Sequence, residues 1–319
     1  MKSAEIALQL WARLWEDYSH RVEYARIYEH MIREGGGTIA NDHIAFRSLR
    51  LTIEGIDGKI NLGLPYLGGI AEALGYSAVE EYKFPQKHLY ARHYSHPEQE
   101  HLKLPKLFIS ELMVEELPKP ITEQIEQVVS TGSFFDFHNL NQEIEAASSV
   151  TELERIIAKL QVVFTRPWEP PQRSLLEAVN EISQYGAWIL LHGYSVNHFT
   201  GYINCQNTPQ YQDIETTASG LEERGVPMKA EIEGSKGSGL RQTATQAVTE
   251  MVSVRDDHSG ELIEIPWTYA YYELAERNLV EVGPGQKVLF EGFLSSQARN
   301  LFEMTHSRSM LVWRKQTKP

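Results

Sequence analysis

Cysteine is nearly missing: Cys205 stands alone in 319 residues, so no intramolecular disulfide can form and a reducing cytoplasm is the expected location. The same scarcity removes structural zinc sites and iron–sulfur clusters built on cysteine. Positive charge is short as well. Thirty Lys and Arg face 43 Asp and Glu, a formal charge of −13, whereas a nucleic-acid partner would need a basic footprint. A small anion stays compatible, because a local basic pocket can oppose the global field. No apolar run approaches membrane-spanning length, and the opening MKSAEIALQLWARLWEDYSHR has no secretory apolar core, so no membrane partner is expected. Signature motifs are missing too. There is no H-E-x-x-H, and EGSKGSGLRQT lacks P-loop spacing. It also fails G-x-S-x-G, because Glu233 stands at the first glycine, and reads as a flexible hairpin between strands.

What is present is ample apolar content, 42%, enough for a large buried core in one domain spanning 1–319. Residues 4–34 have helical spacing and stop at Gly35-Gly36-Gly37. A strand at 42–53, a helix at 64–76 and the strand-like runs SAVEEYKF, KHLYARHY and KLFISELMV follow, giving the order β-α-β-β-β. Residues 117–185 change character to three helical stretches with Pro-rich punctuation at 167–171. AWILLHGYSVNHFTGYIN then reads as β, followed by a helix at about 211–225 and the strands PMKAEIEG, LRQTATQAVTEMVSV and TYAYYELAER. The β-α-β-β-β order thus occurs twice, over about 40–115 and 186–292, which argues for a duplicated module and against Rossmann-type alternation. The expected fold is α+β. Two βαβββ modules joined edge to edge form a cupped, barrel-like core, with added helices at 1–36 and 117–185 and a C-terminal extension at 293–319.

In NDHIAFRSLRLTI the alternation puts His43, Ala45, Arg47 and Leu49 on one face, and Ile44 and Phe46 on the other. The corresponding strand of the second module is NHFTGYIN, so Asp42-His43 matches Asn197-His198. The last strands of the modules each carry a glutamate among apolar neighbours, Glu111 and Glu273, and a carboxylate in such surroundings is costly to bury unless paired or metal-bound. Two imidazoles and one carboxylate on adjacent strands would make the facial triad of non-haem Fe(II) oxygenases. Blander readings stay open from the residues alone. His192, six residues before His198, rivals it on the same face, Glu273 could pair with Arg277 or face water, and Arg47 could pair with Asp42 or a surface acid. The histidines of HYSHPEQEH (His93, His96 and His101) read as a solvated loop.

Several separated segments resemble the 2-oxoadipate dioxygenase/decarboxylase family, also called hydroxyglutarate synthases, which has a vicinal-oxygen-chelate-like core of repeated βαβββ modules. They are HIAFR, VNHFT, VPMKAEIEG followed by LRQTA, and YYELAER, in that order across about 40–280. The segment before Glu273 lacks the glycine found in that family, and NHFTGY lacks the Pro-Arg that follows the histidine motif. The resemblance implies Fe(II) held by His43, His198 and Glu273, with Arg47 on the distal carboxylate of a 2-oxo acid and Lys229, Arg241 and Gln242 lining the pocket. It further implies O2 as co-substrate, and conversion of 2-oxoadipate to 2-hydroxyglutarate and CO2. Other readings on the same scaffold are a metal-dependent lyase, isomerase or ring-cleaving dioxygenase, and a non-catalytic small-ligand-binding protein.

Overall fold

The computed structural model describes residues 2–55 and 58–293. Seven strands form one curled sheet: β1 (Asn41–Arg50), β2 (Ser77–Phe84), β3 (Leu89–Ser95), β4 (Lys106–Met113), β5 (His198–Tyr202), β6 (Leu240–Ala244) and β7 (Glu273–Arg277). Their order across the sheet is β2-β3-β4-β1-β5-β7-β6. Within the first half β1 pairs in parallel with β4; within the second, β5 pairs in parallel with β7. The halves meet where β1 runs antiparallel to β5. Parallel neighbours need a crossover, and in each half a helix lies in that connection, Leu64–Ala73 in the first and Ile214–Glu223 in the second. The first module therefore has the expected βαβββ order, the second keeps β-α-β-β in the sheet, and the two join edge to edge.

The second module is the less regular. PMKAEIEG forms no continuous strand; it touches β6 through two antiparallel bridges, Met228 with Thr245 and Glu233 with Gln242. It still occupies the edge position that β2 fills in the first module. EGSKGSGLRQT turns the chain between that edge and β6, as expected. The run LRQTATQAVTEMVSV splits into β6 and a separate strand, Thr249–Arg255, which pairs with Leu262–Thr268 as a hairpin outside the main sheet. The break between that hairpin and β7 falls at residues 269–272, inside TYAYYELAER.

AWILLHGYSVNHFTGYIN is not β throughout. Gln184–His192 is a helix, capped where the Ser183 hydroxyl accepts from the Gly186 amide at 3.0 Å. It ends at Gly193, whose φ of 60° favours glycine and whose Cβ would lie 2.4 Å from the Arg166 backbone. Trp188, Ile189, Leu190 and Leu191 are all buried, and an apolar run buried on every side has neither helical nor strand periodicity to read. The N-terminal helical stretch likewise divides, at Val22, into Lys2–Arg21 and Glu23–Glu34. The proposed extension lies, from residue 294 onward, outside the described residues. Among the described residues, no helix is long and apolar enough to cross a membrane.

β1 sits at the centre of the sheet and is buried on both faces. On one side Phe46 packs against Trp11 and Phe164, with ring centroids 6.0 and 4.9 Å away. The other side, bearing His43 and Arg47, lines the concave face. On the convex side of β5, Gly201 leaves room for two buried tyrosines: an added Cβ would stand 2.7 Å from the Tyr272 hydroxyl and 2.9 Å from Tyr28. Overpacking of this kind costs about 1–3 kcal/mol, so Gly201→Ala should lower the urea midpoint by that equivalent.

Candidate functional site

Three side chains from the two modules converge on the concave face. His43 leaves β1, His198 opens β5 and Glu273 opens β7; all are buried, and their ligand atoms lie within 4.8 Å of one another. The two imidazole Nε2 atoms are 3.4 Å apart, and Glu273 lies 3.4 Å from His43 and 3.7 Å from His198. The backbone explains the aim of His43. The β1–β5 register shifts between Asn41 and His43, so Asp42 sits in a bulge. There the Asp42 carboxylate reaches His43 Nδ1 at 2.8 Å, and Asn197 Oδ1 stands in the same relation to His198 Nδ1 at 3.1 Å. With both Nδ1 atoms donating, both Nε2 lone pairs face the same point.

Burial lowers the pKa of both histidines. For His43 the Asp42 carboxylate opposes that effect, while for His198 the neighbouring His43 and Arg47 add to it. Burial thus favours the neutral form of both imidazoles, the form that ligates a metal. Glu273 is pushed well up, by burial first and then by Glu233 and Asp42, against a hydrogen bond from Gln242. Its Oε2 is buried without a hydrogen-bond partner among the described residues. Thr200 Oγ1 bridges the group, 3.1 Å from His43 Nε2 and 3.5 Å from Glu273 Oε1. Two converging lone pairs and a carboxylate made costly by burial suit a divalent cation, and a donor set of two imidazoles and one carboxylate fits iron(II). The trio is a candidate metal site that fits the group the fold implies.

Arg47 lies on the same strand and face as His43 and is 2% exposed. None of its three guanidinium nitrogens has a hydrogen-bond partner among the described residues. Asp42, the partner open to it from sequence, is taken by Arg277, at 2.5 and 2.9 Å, which also settles the alternative pairing of Glu273 with Arg277. Gln242 donates to Glu273, and Lys229 flanks it in an ion pair with Glu233. Arg241 corrects the sequence expectation: one residue before Gln242, it points to the opposite face of β6 and is held by Glu215 at 2.7 Å and Glu276 at 3.3 Å.

Glu111 is not the counterpart of Glu273. With His43 matched to His198, Ala45 matches Thr200; Ala45 pairs with Phe108 and Thr200 with Glu273, so Phe108 holds the equivalent place. Glu111 lies three residues on, accepting from the Leu64 amide at 2.7 Å. His93 and His96 are buried, not solvated: His93 is on β3, 2.8 Å from the Tyr82 hydroxyl, and His96 packs on Tyr76. Sequence reading also missed Phe293, whose ring packs edge-on against His43 at 4.9 Å. Tyr185 and Trp188 beside Arg47 were missed as well, and Arg277, weighed only as a partner of Glu273, pairs with Asp42 instead. The spacing of the two aromatics, three residues apart, is informative only once 184–192 is known to be helical.

The curled double-module sheet has the vicinal-oxygen-chelate type of fold, with a candidate two-histidine, one-carboxylate metal site on its concave face. A family model described as 2-oxoadipate dioxygenase/decarboxylase matches residues 14–314, and the chain belongs to that family. It is 27% identical over 287 residues to a chloroplastic 2-oxoadipate dioxygenase/decarboxylase of Arabidopsis thaliana, covering 84% of this chain and 69% of the relative. Two solved structures share the fold. One is described as a glyoxalase-superfamily protein from Ralstonia eutropha JMP134, with TM-score 0.77, 23% identity, and 90% and 86% of the two chains covered. The other is the hydroxyglutarate synthase of Oryza sativa in complex with 2-oxoadipate, with TM-score 0.75, 24% identity, and 97% and 95% covered.

His192, the rival of His198, is not at this site. It ends the Gln184–His192 helix and its Nδ1 lies 3.3 Å from Glu250, which also accepts from Arg21 at 2.6 Å. Burial would raise the Glu250 carboxyl, but the hydrogen bonds from His192 and Arg21 outweigh it and hold its pKa to about 2. A depressed carboxylate pKa stabilises the fold above the ordinary glutamate range, and that contribution is lost as pH falls toward 2. Glu250→Gln should therefore lower the urea midpoint at pH 7, and the gap from wild type should close between pH 5 and pH 2.

Proposed function

We propose that this chain is a non-haem iron(II) dioxygenase that takes 2-oxoadipate and O2 to 2-hydroxyglutarate and CO2. The observation that carries the reading is the pairing, on one face of β1, of a candidate metal ligand with a buried, unpartnered guanidinium. The first suits the 2-oxo acid end of a substrate, and the second suits a carboxylate at its far end. Arabidopsis and rice relatives named for 2-oxoadipate support that choice of acid.

In this reading His43, His198 and Glu273 hold the metal, and the iron, when bound, supplies the chelation and redox chemistry of oxygen activation. The protein's own residues do the rest. Asp42 and Asn197 fix the tautomers of the histidines, so that both present Nε2. Gln242 donates to one oxygen of Glu273, and the other, without a partner among the described residues, would be available to hold a metal. The planar fork of Arg47 grips the distal carboxylate in bidentate fashion, which sets the orientation and length of the acid. Lys229 is a further pocket residue beside Glu273. Burial of the whole group excludes bulk water and strengthens each of these interactions. The lone half-buried thiol, Cys205, fits a reducing compartment such as the cytoplasm.

The test is oxygen uptake by the Fe(II)-reconstituted protein with 2-oxoadipate. Stoichiometric CO2 and 2-hydroxyglutarate are expected; uptake without CO2, or none, refutes the reaction. His43→Ala, His198→Ala and Glu273→Ala should each abolish stoichiometric iron by metal analysis. Arg47→Ala should keep its iron but lose about 10²-fold in kcat/KM for the dicarboxylic acid, the worth of a pair of charge-assisted hydrogen bonds.

A further inference from the structure

The Arg47 guanidinium is buried and charged, yet it is held by no carboxylate, hydroxyl or carbonyl among the described residues. What it does have is two aromatic faces. Its Cζ lies 4.9 Å from the Tyr185 ring centroid and 4.8 Å from that of Trp188. Both rings come from the Gln184–His192 helix, which precedes β5, the first strand of the second half of the sheet. One residue is three positions after the other, so both project from one face of the helix toward the end of β1.

Each ring is tethered by its polar end. The Tyr185 hydroxyl lies 2.8 Å from Ser110 Oγ and accepts from the Ser48 amide at 3.3 Å. Trp188 Nε1 donates to the Tyr269 carbonyl at 2.7 Å, and its indole stacks on Tyr269 with an interplanar angle of 6°. Rings fixed in this way present their π faces in set positions. A cation over a π face is stabilised without use of its N–H groups, unlike a cation in a salt bridge.

We propose that Tyr185 and Trp188 are positioning residues that clamp Arg47 by its faces and so reserve its N–H edge for a carboxylate, making the inter-module helix the determinant of selectivity for dicarboxylic over monocarboxylic 2-oxo acids. The inference rests on the carboxylate-binding role of Arg47 given above. Without the clamp the guanidinium turns toward other acceptors, and the distal carboxylate loses its partner while the 2-oxo acid end is unaffected.

The experiment is anaerobic calorimetry on the Fe(II)-loaded full chain, with 2-oxoadipate and with 2-oxohexanoate, which has the same length but no distal carboxylate. Wild type should favour 2-oxoadipate by more than tenfold. Trp188→Leu, and independently Tyr185→Leu, should weaken 2-oxoadipate about ten- to thirtyfold, the worth of a desolvated cation–π contact, and leave 2-oxohexanoate unchanged. Trp188→Phe, which keeps a π face, should restore most of the preference. In turnover the leucine variants should raise KM for 2-oxoadipate with little change in kcat. Equal losses for both acids, or a preserved preference in both leucine variants, would overturn the clamp. Absence of any preference in wild type would overturn the role of Arg47 itself, and the clamp with it.

Discussion

The Asp42 carboxylate, buried between Arg277 and His43, is the contact on which the architecture turns. One oxygen accepts from Arg277 Nε at 2.5 Å; the other lies 2.9 Å from Arg277 Nη2 and 2.8 Å from His43 Nδ1. Asp42 belongs to the first strand of the first module and Arg277 to the last strand of the second, so the pair pins the two halves across their seam. Arg277 Nη1 further donates to the carbonyls of Phe290 and Gly292, at 3.0 and 2.9 Å, and draws in the segment that carries Phe293 over His43. Burying two charges is expensive, and the cost is met only where each remaining donor and acceptor finds a partner. Here the carboxylate also meets Nδ1 of His43, a member of the candidate metal site, so the ion pair joins the seam to that site.

How much of this was legible depended on whether the pattern had a period. The alternation in NDHIAFRSLRLTI is that of a strand, and β1 follows it, with His43 and Arg47 on one face. The double β-α-β-β-β order was readable because turns and helices punctuate it. The Gln184–His192 helix was not, since every side of it is covered and its apolar run carries no amphipathic signal. With the helix went Tyr185 and Trp188, and with them the surroundings of Arg47. The equivalence of Glu111 and Glu273 failed for another reason: composition shows that a strand holds a glutamate, while only the pairing register shows which face it occupies. Arg241 failed on the same parity, being one residue from Gln242.

The register also exposes how a duplicated scaffold has become asymmetric. His43 and His198 are related positions, as are Asp42 and Asn197, but Glu273 is answered by Phe108. On the first module's side the neighbourhood is aromatic: Phe108, Tyr82 and His93 pack together with Phe293 from the C-terminal end of the described chain. In the second it is polar, with Thr200, Gln242, Lys229 and Glu233 around the carboxylate. A symmetric scaffold would offer two carboxylates to one ion. This one presents a single carboxylate, Glu273, and an apolar wall to the candidate site.

The central position of β1 has a consequence for how the chain comes into being. Synthesis delivers β1 and its neighbour β4 by residue 113, but the other edge of β1 waits for β5, and Asp42 waits for Arg277, 235 residues later. Until then the ribosome-bound chain displays an unpaired apolar strand edge and an uncompensated acid, the kind of intermediate that invites chaperones or misassembly. The same delay is protective. Since the three candidate ligands meet only after nearly the whole sheet has closed, a nascent chain offers no finished site to a stray metal, and loading belongs to the folded protein.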